Sequence, residues 1–198
     1  MYTFGMSNIQ LADLASLLGL LAWSLYLRSI FAGHVVASAA NWVAMILIVL
    51  SASVATAELG SLWHASFYLI NAACGAVVVV KSLRNKQAAG REDKMIMALG
   101  SVILAASFRW PQYIAVTVAL FYVVNYGSMG FKMIAGKTVE SPSSWVIRSI
   151  GAAVLAVSLR NKGYFAEAIP ISNVVCWTWI AVIAIWLRKK PVEALVSA

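Results

Sequence analysis

The sequence predicts an all-α integral membrane protein of seven transmembrane helices. They are expected to form two parallel three-helix repeats joined by one helix, a 3+1+3 plan, with the N-terminus outside and the C-terminus in the cytosol. Three observations predict this: an apolar composition, seven apolar runs with lopsided basic flanks, and a set of rarer letters that recurs about 103 residues later. Of 198 residues, 62% are hydrophobic and 11% are charged, against roughly 45–50% and 25% in soluble domains. The 15 Lys and Arg with 7 Asp and Glu cannot cover a soluble fold of this length, and the mean hydropathy of +0.85 agrees. A water-soluble globular enzyme and a disordered chain are both excluded.

The apolar runs fall at roughly 9–27, 39–57, 62–81, 94–108, 112–131, 144–159 and 167–187. A crossing needs about 20 residues. The fourth run is short, with only 14 residues between Lys94 and Arg109, about 21 Å of helix against a hydrocarbon core of about 30 Å. Charge decides whether it crosses. With seven spans and the N-terminus outside, Arg28, Lys81, Arg84, Lys86, Arg91, Lys94, Lys132, Lys137, Arg148, Arg188, Lys189 and Lys190 lie on the cytosolic side. Only Arg109, Arg160 and Lys162 then face out. Without the fourth crossing the split falls to 9 against 6, so the positive-inside rule favours seven. Trp23, Trp42, Trp63, Trp110, Trp145 and Trp186 stand near run ends, where indoles favour the headgroup zone.

The net charge of +8 does not imply nucleic acid, because the basic residues flank spans and form no aromatic-interleaved patch. Cys74 and Cys176 lie inside apolar runs, which argues against a disulfide or a cysteine metal site. The opening MYTFGMSNIQ has no basic n-region, and no Asn-x-Ser/Thr acceptor occurs. A bacterial cytoplasmic membrane is the expected location.

The repeat is carried by uncommon letters. Residues 32–42, AGHVVASAANW, and 135–145, AGKTVESPSSW, share Ala, Gly, Val36/Val139, Ser38/Ser141 and Trp42/Trp145 at an offset of 103. Asn71-Ala-Ala-Cys74 answers Asn173-Val-Val-Cys176 at 102. The expected units are a first three-helix repeat at 9–81, a cytosolic loop and linker helix at 82–111, and a second repeat at 112–189. Three crossings reverse direction, and the single linker crossing restores it, so the repeats run parallel about an axis along the membrane normal.

Polar residues within the spans are the candidates for binding. Asn71 and Asn173 hold equivalent places near the midplane, where a buried amide needs either a partner or a wet cavity. Cavity lining and interhelical packing are equally compatible with them, the latter worth about 0.6 kcal/mol per polar contact. His64, Tyr68, Asn71 and Gly75 share one helix face, as do Asn173 and Trp177. Ser51, Ser53, Ser158 and the mid-span Asn125 can add polar groups, as can Trp23, Ser24 and Tyr126, although hydroxyl and small residues also serve helix packing. Such amides flanked by aromatic rings suit a polyhydroxylated or ring-bearing solute.

Among the seven carboxylates, Asp13, Glu58, Glu92, Asp93, Glu140, Glu167 and Glu193, only Asp13 and Glu58 are expected to approach the hydrocarbon. With no acid at the midplane, passive movement is expected rather than proton coupling. Arg148 is expected to snorkel to the cytosolic headgroups, with a gate or anion contact as the minor alternative. His34 and His64 lack companions at metal-ligand spacing. Glu58 and His64 make a weak catalytic pair with no nucleophile. No catalytic residue, metal or cofactor is expected.

These residues resemble a known group. The 3+1+3 plan, with Lys137-Thr-Val-Glu-Ser141-Pro-Ser-Ser-Trp145, Pro170-Ile-Ser-Asn173, Ser38-x-x-x-Trp42 and Asn71, is similar to the SWEET sugar transporters and their PQ-loop relatives. The runs at 9–27 and 112–131 lack internal prolines, so the resemblance is to the plan of the superfamily. It implies a facilitative uniporter of a small neutral polar, sugar-like solute by alternating access, with the paired Asn residues facing a central cavity. A transporter of a nucleoside-like vitamin precursor shares a similar plan. A channel and a non-transporting membrane scaffold subunit are the other readings, and self-association into a homo-oligomer stays open. The expected partners are the lipid bilayer and the solute, with no nucleic acid.

Overall fold

A computed structural model describes residues 7–59, 62–83, 91–160, 162 and 164–188. Arg84, Lys86, Lys189, Lys190 and Glu193 lie outside the described residues. The described chain is all-helical: α1 (Asn8–Phe31), α2 (Ala39–Leu59), α3 (Leu62–Leu83), α4 (Arg91–Ser107), α5 (Pro111–Ile134), α6 (Pro142–Leu159) and α7 (Tyr164–Arg188).

The helix starts follow local chemistry. Ser7 and Gln10 form a reciprocal capping box at α1, the Ser7 hydroxyl accepting from the Gln10 N–H at 3.3 Å and the Gln10 carbonyl from the Ser7 N–H at 2.8 Å. Pro111 and Pro142 begin α5 and α6, where a missing N–H costs nothing. Pro170 is internal to α7, and without an N–H it leaves the carbonyl one turn back without its helical donor.

α1 and α5 end in the same way. Gly33 and Gly136 take φ of 76° and 70°, a left-handed geometry that favours glycine. The next N–H in each case reaches back five residues, His34 to Ser29 and Lys137 to Lys132, both at 2.9 Å. Each ending is a Schellman motif. The two loops then meet, for Val36 and Val139 exchange both backbone hydrogen bonds at 3.1 Å as an isolated antiparallel bridge.

Helices α1, α2, α3, α6 and α7 are each long and apolar enough to cross a membrane, while the apolar stretch of α4, Lys94–Ser107, is shorter. The exterior is rich in apolar side chains such as Leu17, Val80, Val102, Leu120 and Val157, while Ser51, His64, Asn71, Asn125, Arg148, Ser158 and Asn173 are buried. Polar inside and apolar outside is the arrangement lipid requires. The chain is an α-helical membrane protein by length, composition and surface.

The third helix of each expected unit packs against the first two: α3 touches α1 and α2, and α7 touches α5 and α6. Between the units, α1 packs on α6 and α2 on α5, and α4 lies against α2 and α5. Gly151 lets α6 come close to α1, since a Cβ there would sit 3.4 Å from the Ala15 carbonyl oxygen and 3.3 Å from Phe67.

Two expectations about tryptophan and arginine are overturned. Trp23, Trp42 and Trp145 are not at a headgroup surface but are buried in the core, whereas Trp63, Trp110 and Trp186 are exposed. Arg148 does not snorkel, being only 2% exposed. Its face of α6 also carries Trp145, Ala152, Leu155 and Leu159, all buried, so helical periodicity turns Arg148 inward. Glu140 is a third correction. The loop that pairs Val139 with Val36 buries its carboxylate to 3% exposure, while Asp13 and Glu58 are exposed.

Candidate functional site

Nine aromatic residues form a connected network inside the bundle. It contains Trp23 and Tyr26 of α1, Trp42 of α2, Phe67 and Tyr68 of α3, Tyr122 and Tyr126 of α5, Trp145 of α6 and Trp177 of α7. Trp42 and Trp145, equivalent in the sequence pattern, stack at 6.3 Å between centroids. Tyr126 joins this stack to the deeper layer, edge-on to Trp145 at 5.7 Å and stacked with Tyr122 at 5.8 Å.

At the end of the network nearest the Val36–Val139 bridge, Arg148 sits in a cage of rings. Its guanidinium carbon is 3.8 Å from the Trp23 centroid, 4.6 Å from Trp145, 5.0 Å from Tyr26 and 5.7 Å from Trp42. Ring quadrupoles favour a cation, by about 2 kcal/mol or more when water is excluded. Its Nε and Nη2 are buried and form no hydrogen bond. Glu140 lies near enough to interact electrostatically, and its Oε2 accepts from the Trp145 indole N–H at 3.0 Å. Burial pushes the Glu140 carboxyl up to about 7, against the opposing pull of the Trp145 N–H, the Tyr26 hydroxyl and the Arg148 charge.

Glu140 also lines a crevice of about 260 Å³ with Gly136, Thr138, Leu187 and Arg188. A counterpart of about 330 Å³ lies beneath the first loop, lined by Gly33, Val35, Ala37 and Lys81. Ala37 occupies the place in that loop that Glu140 has in the other.

Deeper in the bundle the amides divide. Asn71 is satisfied: its Oδ1 accepts from the Trp23 indole at 2.9 Å and its Nδ2 donates to the Phe67 carbonyl at 2.6 Å. Asn173 is fully buried, yet neither amide atom makes a hydrogen bond. The Tyr68 and Tyr122 hydroxyls neighbour it without hydrogen-bond geometry, and neither has another partner. Asn125 is likewise fully buried with both amide atoms unpartnered. Trp177 donates its indole N–H to the Tyr126 hydroxyl, which donates in turn to the Met45 sulfur at 3.2 Å.

The other predicted residues lie elsewhere in the bundle. Ser51 bonds the Leu47 carbonyl and Ser158 the Leu155 carbonyl, both within their own helices. Ser53 reaches from α2 to the Ala65 carbonyl of α3 at 3.4 Å. Ser24 is exposed and bonds back to Leu20. Among the described residues no group of three or more His, Cys, Asp or Glu could hold a metal ion.

Sequence reasoning brought Asn173, Asn125, Tyr68 and Trp177 into one candidate set, and the fold packs all four into one interior. It missed Arg148 and Glu140 as an interior pair, and Tyr122 as the neighbour of Asn173. The signal for Arg148 was its three-residue spacing after Trp145 on the core face of α6. No local signal marked Glu140, whose burial depends on a loop 103 residues away. No protein-family model matches the chain, and no curated protein or solved structure matches it either.

Proposed function

We propose that the chain is a facilitative membrane carrier. A small polar solute binds between two three-helix units and is exposed to either side in turn as the units rock. One observation carries this reading: Asn173 and Asn125 are fully buried, none of their four amide atoms makes a well-formed hydrogen bond, and the Tyr68 and Tyr122 hydroxyls lie close to Asn173. Each unpaired buried polar group costs about 1–3 kcal/mol. A solute that donates and accepts hydrogen bonds removes that cost when it arrives, which is what a binding site of this kind is for.

The repeat is the second support. Exchanging α1 with α5, α2 with α6 and α3 with α7 maps the main helix pairs onto one another: α1 on α6 becomes α5 on α2, α2 on α3 becomes α6 on α7, and α1 on α3 becomes α5 on α7. The matching Schellman endings and the reciprocal Val36–Val139 bridge lie where a twofold axis would pass. Parallel repeats about such an axis suit rocking around a fixed central site. In this reading α4 is the crossing that brings the second unit into the same sense, and the basic ends Arg28, Lys81, Lys132 and Arg188 face the cytosol of a bacterial cell.

The expectation of passive movement drew on the lack of an acid at the midplane, and that of a neutral, sugar-like solute on the amides, the aromatic rings and the resemblance. Glu140 lies in the α5–α6 loop and not at mid-span, but it and Arg148 place charged groups inside the protein, so the proposal is for a small polar solute. Uptake into proteoliposomes, measured one solute at a time for glucose, nicotinamide riboside, L-alanine and propionate, tests it. At least one should show saturable flux without unitary currents, and Asn173→Leu should lower that flux at least about tenfold while the protein stays folded. Unitary currents would mean a pore. Unchanged flux in both Asn173→Leu and Asn125→Leu would discard the site.

A further inference from the structure

We propose that the free edge of Arg148 is the docking point for a carboxylate group, so that the solute is a small organic acid anion whose negative charge is balanced by a proton taken up at Glu140. This rests on the carrier reading and names its substrate class. The guanidinium of Arg148 is 2% exposed and its face is covered by Trp23 at 3.8 Å. Such packing leaves the edges to recognise a ligand. The two nitrogens without partners are Nε and Nη2, and these form the side-on edge that meets a planar carboxylate with two parallel hydrogen bonds.

The charge balance favours an anion. A buried guanidinium must be paired to be cheap, and the adjacent carboxyl of Glu140 is itself buried and held by the Trp145 indole. With Glu140 protonated, Arg148 is an interior cation lacking its counter-ion, and a solute carboxylate supplies one. One proton and one anion enter together, leaving the net charge of the interior unchanged, and release returns both. Glu140 lines the crevice beneath the α5–α6 loop, which gives a proton a way to its carboxyl. The groups facing Glu140 are Tyr26 of α1, Trp145 and Arg148 of α6, and Arg188 of α7 across the crevice, with exposed Lys137 on the same loop. Its proton affinity, near pH 7, sets the sign. Below that pH the carboxyl is neutral and the cation awaits an anion; above it, Glu140 supplies the negative charge and competes.

Thermal unfolding and binding titrations of purified protein in detergent test this with acetate, propionate, lactate, succinate, inorganic phosphate, L-alanine and glucose. A monocarboxylate should raise Tm by about 2–4 °C at saturation, and its affinity should fall about tenfold between pH 6 and pH 8. Arg148→Lys, which keeps the charge but not the fork, should bind at least about tenfold more weakly. Glu140→Gln, permanently neutral, should still bind and lose the pH dependence, a readout that stands even where an Arg148 variant does not fold. Overturning results are no binding by any monocarboxylate, phosphate or L-alanine binding better than propionate and lactate, or affinity that rises with pH. Carboxylate binding without flux in proteoliposomes would refute the carrier and keep the docking edge. Glucose flux without carboxylate binding would do the reverse.

Discussion

Single residues divide into those whose polar atoms are matched within the fold and those left waiting. Asn71 and Asn173 are the same letter in equivalent places, yet Trp23 bonds the first while the second makes no well-formed hydrogen bond. The difference follows from the sequence of the partner helices: at an offset of 103, Tyr126 stands where Trp23 does, and Tyr126 bonds Trp177 and Met45. Trp23→Phe should therefore strand the Asn71 carbonyl and cost about 1–3 kcal/mol, read as a lower Tm in detergent. Asn173→Leu removes a buried amide that has no partner, and its Tm should hold or rise. A fall for Asn173→Leu as large as that for Trp23→Phe would mean that Asn173 is already paired. Asn173 was legible as a candidate because a polar letter in an apolar run is rare. Which of the two amides is free was not, because the donor to Asn71 comes from 48 residues away.

At the scale of the element, the helices were the most readable part. The expected runs and the observed helices differ mainly at their ends, as at α1, expected at 9–27 and observed at Asn8–Phe31. Capping chemistry and the loop glycines extend helices beyond the purely apolar letters. Those glycines make a sharp contrast. Gly136→Ala forces a left-handed φ of 70° on a residue with a Cβ, at a cost of about 1–2 kcal/mol. Gly127→Ala, inside α5 where an added Cβ meets nothing within 4 Å, should gain up to about 1 kcal/mol from helix propensity. Opposite shifts in Tm, down for Gly136→Ala and up for Gly127→Ala, are the expected result. The interfacial role predicted for Trp23, Trp42 and Trp145 failed for a physical reason: an amphipathic ring near the end of a span suits a headgroup layer and an aromatic core equally well. Only the packing partner decides.

Over the whole molecule, orientation is the property most open to direct measurement. Arg109 and Lys137 flank α5 at opposite ends. In a background where Cys74 and Cys176 are Ala, Arg109→Cys should react with a membrane-impermeant maleimide in intact bacterial cells and Lys137→Cys only after lysis. The opposite pattern would invert the orientation, and labelling of both in intact cells would remove α5 as a crossing.

The sequence by itself determined that this is a bundle of apolar helices, five of them long enough to cross a membrane, with polar letters inside. Hydrophobicity, capping and loop glycines act over a few residues, so the chain carries them locally. Tertiary structure alone decided that Arg148 turns into a ring of tryptophans and tyrosine, that a loop acid joins it, and that Asn173 rather than Asn71 is left without a partner. Whether a buried polar atom is satisfied depends on which side chain from a distant helix arrives beside it, and composition and period do not encode that.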